Sequence, residues 1–173
     1  EVCQVSPYSL HNMKRFMPEE ELWPAGFKFT IDKPGKIAWP AGWQKNTPAS
    51  GWEKTGNIQD YCDIQNAKDA CRVFGTAHGE YLRRRYEEQR RGVPNGDPDG
   101  KRRSWGALIW RLNDTWPVIY MSVIDYFIEP KIPYYFLKRA CEPVLLTFEQ
   151  TPEEICTWVV NDSKEQVNDS LFI

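Results

Sequence analysis

The chain is poor in the side chains that most often announce a metal or redox site. Its 173 residues include only two histidines and five cysteines. His11 and His78 lack ligand spacing, and Cys3, Cys62, Cys71, Cys141 and Cys156 form no C-x-x-C pair, so neither a metal nor a cofactor is expected. An odd number of cysteines cannot all pair within one chain, and they read as buried structural thiols. Cys62 and Cys71 fall on one expected helix, roughly 13 Å apart along its axis, too far for a bond. Excess charge is missing as well: 27% of residues are charged, yet the net charge is -2. That balance gives no electrostatic reason to expect a nucleic-acid partner or an anionic membrane surface. The basic triplets Arg83-Arg84-Arg85 and Lys101-Arg102-Arg103 do not change this, because Glu80, Glu87 and Glu88 interleave the first; both read as solvated faces. No apolar run reaches the ~20 residues of a membrane helix. Initiator methionine and leader pattern are also absent, and the last residues, Ser170 to Ile173, read as the inside of a strand. The chain is therefore expected to be a segment of a longer protein. Asn113-Asp114-Thr115, Asn161-Asp162-Ser163 and Asn168-Asp169-Ser170 match the short N-glycosylation pattern, which by itself assigns no compartment.

What the chain has is a sequence of helical, loop and strand signals. Ser9 is a candidate N-cap for a helix to Met17, with Leu10, Met13 and Met17 on one face and Pro18 closing it. Residues 23–57 are rich in Pro and Gly with no sustained period, but they carry Trp23, Trp39, Trp43 and Trp52. This predicts an ordered loop, with Trp39, Trp43 and Trp52 either bordering a ligand site or simply riding on the loop. From Asp60 to Arg91 an apolar stripe of Tyr61, Ile64, Cys71, Phe74, Tyr81 and Leu82 predicts a long helix, with Lys68, Arg83, Glu87 and Gln89 off the stripe. A turn-rich stretch from Val93 to Gly100 follows. Ala107 to Trp110 then has the length and apolar continuity of a strand buried on both faces, as in a parallel sheet. Asn113, Asp114 and Pro117 end it. Beyond the corner, Pro133 suits the first turn of a helix to Ala140, and the runs 144–149 and 155–160 are β-rich.

The corner Trp110-Arg111-Leu112-Asn113-Asp114-Thr115-Trp116-Pro117 carries a resemblance. It is similar to the segment W-x-L-N-D-x-W-P that ends the last barrel strand in the β-mannosidase-like and exo-β-glucosaminidase-like branch of glycoside hydrolase family 2. Downstream, Ser122-Val123-Ile124-Asp125-Tyr126, Pro130-Lys131, Tyr134-Tyr135, Lys138-Arg139 and Pro143-Val144 continue it. Upstream, Glu1-Val2, Ser6-Pro7, Phe16-Met17-Pro18-Glu19 and Leu22-Trp23-Pro24 resemble the segment that begins at the family's nucleophile. The fold implied is α/β. Residues 1–142 would form the C-terminal portion of a (β/α)8 TIM barrel, and residues 143–173 the first strands of an immunoglobulin-like β-sandwich. A whole barrel takes about 250 residues, so only part of one fits.

The resemblance also implies an activity, that of a retaining exo-β-glycosidase hydrolysing terminal β-linked sugars. β-Mannosidase-like specificity comes first, and exo-β-glucosaminidase or another family 2 β-glycosidase is the alternative. A non-catalytic carbohydrate-binding or structural domain is the alternative from another class. Retaining hydrolysis needs two carboxyl groups about 5–5.5 Å apart. By resemblance Glu1 is the nucleophile and the acid/base lies outside the chain; on the residues alone, Glu1 is a frayed terminal carboxylate. Trp110 resembles the tryptophan at the floor of the terminal-sugar subsite, although a strand-end Trp is also an ordinary core residue. Asn113 and Asp114 either bind sugar hydroxyls or cap and turn the backbone. Trp116 is assigned to the substrate side or to packing behind it. The expected partner is a carbohydrate, a β-mannoside or related oligosaccharide.

Overall fold

Helical periodicity between Ala67 and Arg90 produces the longest element of the computed structural model, which describes residues 4–33, 36–48, 58, 63–92, 106–168 and 170. In chain order the elements are α1 (Leu10–Met13), α2 (Glu19–Leu22), β1 (Ile31–Lys33), β2 (Lys36–Ile37), α3 (Ala41–Lys45), α4 (Ala67–Arg90), α5 (Ile132–Ala140), β3 (Val144–Gln150) and β4 (Ile155–Asn161). Ser9 caps α1 as expected, its hydroxyl accepting from the Asn12 amide at 3.2 Å. The long helix starts later than Asp60. Asn66 caps it by accepting from the Asp69 amide at 2.9 Å, while the Asp69 carboxylate accepts from the Asn66 side chain and the Gln65 amide. That reciprocal cap satisfies the first-turn donors and fixes the start of α4 at Ala67. Tyr61 and Cys62 lie outside the described residues.

Two glycines let α5 settle on α4. Gly75 and Gly79 lie four residues apart, hence on one face of α4. A Cβ on Gly75 would meet Ile132 at 2.8 Å, and one on Gly79 would meet the Phe136 ring. Ile132 and Phe136 have the same spacing on α5, so two side chains of one helix sit in two gaps of the other. Pro133 occupies the first turn of α5, as its missing N–H allows. The main core lies on another side of α4, where Phe74, Ala70 and Val73 meet Val5, Met13 and Trp43.

Part of the loop rich in Pro and Gly supplies core rather than site. Trp39 and Trp43 stack with ring centroids 5.4 Å apart, Trp39 reaches Phe74 at 4.5 Å, and the Trp43 indole N–H donates to the Leu22 carbonyl at 2.8 Å. These two tryptophans are buried. Trp52 lies outside the described residues.

The expected strand at Ala107–Trp110 is not formed. Residues 106–112 run irregularly with a one-residue bridge at Ile109, and Leu108 is 78% exposed. Apolar continuity provides two faces to bury, but a strand exists only as part of a ladder, and among the described residues no ladder forms here. Among the described residues both sheets are two-stranded and antiparallel, β1 with β2 and β3 with β4. The second is the expected hairpin, in register from Val144 opposite Asn161 to Gln150 opposite Ile155. Its turn is closed by the Thr151 hydroxyl, which accepts from the Glu153 and Glu154 amides at 3.3 and 3.1 Å.

The hairpin is pinned to α4 by polar groups. Thr147 donates to the Glu87 carboxylate at 2.6 Å and accepts from Arg91 at 3.1 Å, while Arg83 holds the other Glu87 oxygen at 2.9 Å. Glu87 is therefore buried under the hairpin, not on a solvated face. Its negative charge is tolerable there because both oxygens have charged or hydroxyl donors. Arg84 and Arg85 keep the solvated role, with side chains 75% and 50% exposed.

Candidate functional site: the corner after Trp110

Three segments meet beneath the corner: residues 4–12, the stretch 106–131 and the middle of α4. The corner folds back on itself through backbone bonds. Leu112 accepts from Val123 and Ile124 at 3.2 and 2.8 Å, and the Asp114 amide donates to Ile124 at 3.2 Å. Val123 in turn accepts from Lys131 at 2.9 Å. Ser6 joins this layer by donating its amide to the Tyr120 carbonyl at 3.2 Å.

Asp114 is the hub. Its side chain is fully buried, and both oxygens are used. One accepts from the Arg111 guanidinium at 2.7 and 3.2 Å; the other accepts from the Tyr8 hydroxyl at 2.9 Å and from the Ser122 hydroxyl. The Tyr8 oxygen also accepts from the Val118 and Tyr126 amides, each at 3.3 Å. One phenol thus orders both ends of the segment after Trp116. Burial, with the Asp114 charge beside it, pushes the Tyr8 hydroxyl above its ordinary value and keeps it protonated.

Lys131, the N-cap residue of α5, is buried and spends its ammonium on three acceptors. These are the Ser6 carbonyl at 2.7 Å, the Tyr120 carbonyl at 3.0 Å and the Ser122 hydroxyl at 3.4 Å. Burial lowers this lysine from 10.5 to about 8, against the pull of Asp114 and Asp125. His78 on α4 exchanges a hydrogen bond with the Ser6 hydroxyl through Nδ1 at 2.9 Å, and its Nε2 has no hydrogen-bond partner among the described residues. Burial first, and then the Lys131 charge, hold this imidazole well below its ordinary value of 6.5. A second buried carboxylate, Asp125, accepts from the Asn12 side chain at 2.6 Å and from the Phe127 and Glu129 amides at 2.9 and 3.0 Å.

Above this polar layer stand the aromatic residues of the corner. Trp110 and Trp116 are 50% and 54% exposed, Asn113 is exposed, and the Trp110–Arg111 peptide is cis. Trp110, Asn113 and Trp116 are thus open to solvent, whereas Asp114 has turned inward and its acceptor positions are filled by protein. Glu1 lies outside the described residues. Sequence reasoning singled out neither Arg111, Tyr8 nor His78 as members of the site. The signal available was weak, a charge or phenol beside an apolar run, as at Lys131 between Pro130 and Ile132. Among the described residues no group of three or more His, Cys, Asp or Glu side chains could hold a metal ion.

The fold has counterparts among solved structures. No family model matches the chain. Over 94% of its length it superposes on part of the β-D-mannosidase of Dictyoglomus thermophilum, with a TM-score of 0.73, 23% identity and 18% of that chain covered. An exo-β-D-glucosaminidase, CsxA, superposes at a TM-score of 0.61 with 19% identity, over 88% of this chain and 17% of that one. These likenesses show that the chain has the fold of a segment of those two enzymes. Sequence similarity narrows the group. A stretch of 52 residues is 46% identical to beta-mannosidase B of Aspergillus niger, and one of 72 residues is 36% identical to beta-mannosidase B of Thermothelomyces thermophilus. The stretches cover 26% and 39% of this chain but only 6% and 8% of those proteins. The chain thus resembles in sequence a small part of these beta-mannosidases.

Proposed function

We propose that this chain supplies the last part of the catalytic (β/α)8 barrel, residues 1–142, and the first strands of an immunoglobulin-like sandwich, residues 143–173, of a retaining exo-β-mannosidase. The observation that carries the reading is the corner itself. Half-exposed indoles stand on a buried, hydrogen-bonded polar layer, in a chain whose fold, and part of whose sequence, resemble β-mannosidases. An apolar indole face suits the C–H face of a pyranose, and a rigid layer beneath it holds that face in register with the reacting carbon. Trp110 is then the floor of the terminal-sugar site, Asn113 offers hydrogen bonds to hydroxyls, and Trp116 lines the wall. Asp114 acts by shaping the corner.

In this reading Glu1 attacks the anomeric carbon as the leaving oxygen takes a proton from an acid/base carboxyl on another segment, forming a glycosyl ester that water then opens. The test is trapping with a 2-deoxy-2-fluoro-β-mannoside in the enzyme that contains these residues, followed by peptide mapping. Label on Glu1 is expected; label on Asp114, Asp125 or any other residue removes the assignment. The likeness to an exo-β-D-glucosaminidase favours one second reading, cleavage of β-glucosaminides, which a side-by-side assay of the two nitrophenyl glycosides separates. Turnover of neither, with sugar still bound, would leave a non-catalytic carbohydrate-binding domain.

A further inference from the structure

Arg111 sits where two kinds of contact meet. Its guanidinium bonds one Asp114 oxygen at 2.7 and 3.2 Å, and the same group lies 5.3 Å from the ring centroids of both Trp116 and Tyr120. Asp114 cannot swing to follow a moving arginine, because Tyr8 and Ser122 hold its other oxygen. The guanidinium plane is thus fixed from below and braces an indole that is 54% exposed. We propose that Arg111 is a positioning residue that fixes the Trp116 indole as a second sugar-facing plane beside Trp110. The ligand class is a pyranoside with an exposed C–H face, and the proposal rests on the sugar-site reading above.

The physical case turns on shape as well as charge. A freely rotating surface indole would have to be ordered by each arriving sugar, and that entropy would be lost on binding. An indole already held by a cation against its face is ordered in advance. Lysine in place of Arg111 keeps the positive charge near Asp114 but offers no plane for the rings to pack on. Arg111→Lys therefore separates support of Asp114 from support of Trp116.

The experiment is fluorine NMR on the enzyme that contains these residues, labelled with 5-fluorotryptophan, with the lines of Trp110 and Trp116 assigned by Trp→Phe substitution and the buried Trp43 line as the reporter of intact folding. Two variants are compared with the parent. They are Arg111→Lys and the pair Arg111→Met with Asp114→Asn, which avoids leaving a buried charge unpaired. In both, the Trp116 line is expected to shift or broaden while the Trp43 line stays in place. Titration with methyl β-D-mannopyranoside is expected to move the Trp110 and Trp116 lines of the parent, with the Trp116 midpoint raised about threefold or more in Arg111→Lys. An unmoved Trp116 line in both variants, or equal midpoints in parent and variant, overturns the role of Arg111. Sugar response from Trp110 alone overturns Trp116 as a sugar-facing plane and leaves the sugar site standing. No response from either indole overturns the sugar-site reading and this proposal with it.

Discussion

Asp114 shows how a residue that looks like a ligand group in sequence can be spent on architecture. The Asn113-Asp114 pair offered two readings, sugar binding or turn formation, and the structure divides them: Asn113 faces out while Asp114 takes donors from Arg111, Tyr8 and Ser122. Asp114→Ala should cost about 3 kcal/mol, because it removes the acceptor shared by a part-buried guanidinium and two buried hydroxyls; chemical denaturation measures this directly. Trp110→Ala should leave the melting temperature nearly unchanged, since the ring is half-exposed. In the enzyme it should lower turnover and sugar affinity together. Buried titratable groups give a pH signature. Lys131 is lowered from 10.5 to about 8 in the fold, so between those values the unfolded chain binds the extra proton and the lysine's contribution to stability rises with pH. His78 acts on the other side. Its folded value is depressed below 6.5, so stability is lost as pH falls below 6.5 and the unfolded imidazole takes up a proton. Melting curves of the parent and His78→Gln from pH 7 to 5 should therefore diverge least at the acid end. A gap that widens on acidification contradicts the neutral buried imidazole.

At the scale of elements, the sequence was most legible where local rules decide. Ser9 as a cap, Pro133 in the first turn of α5 and the two β-rich runs of the hairpin all follow from one or two residues and their neighbours. It was least legible where a partner decides. Ala107–Trp110 has strand composition without a ladder among the described residues, and Glu87 reads as solvent-facing until Thr147 arrives from sixty residues downstream. Trp39 and Trp43 belong to the same group, being loop residues by pattern and core by contact. Thr147→Val should loosen the hairpin from α4 by about 1–2 kcal/mol, because it removes one donor from the buried Glu87 carboxylate. Hydrogen exchange should show this as faster loss of protection in β3 and β4, with α1 unaffected. Gly79→Ala is the harsher change. Alanine favours a helix interior by about 1 kcal/mol, yet its methyl would fall on the Phe136 ring, and the clash is expected to win.

On the scale of the whole molecule, one face of the hairpin remains apolar and open, with Phe148, Ile155 and Val159 59%, 69% and 65% exposed. In the proposed sandwich, this is the face that further strands would cover. The described residues likewise hold one wall of the proposed sugar site. The 173-residue chain by itself should therefore fail to hydrolyse an aryl β-mannoside, and measurable turnover by it would show that both carboxyl groups are already present. The seating of α5 on α4 reaches this scale too. Lys131 is at once the N-cap residue of α5 and the ammonium that ties Ser6 to Tyr120, so the depth of the Gly75 and Gly79 gaps sets how far that ammonium reaches. In lineages that share this segment, positions 79 and 136 should therefore trade volume: a methyl gained at the first is accepted only with a smaller ring or side chain at the second, and the proposed sugar corner is what selection would be watching.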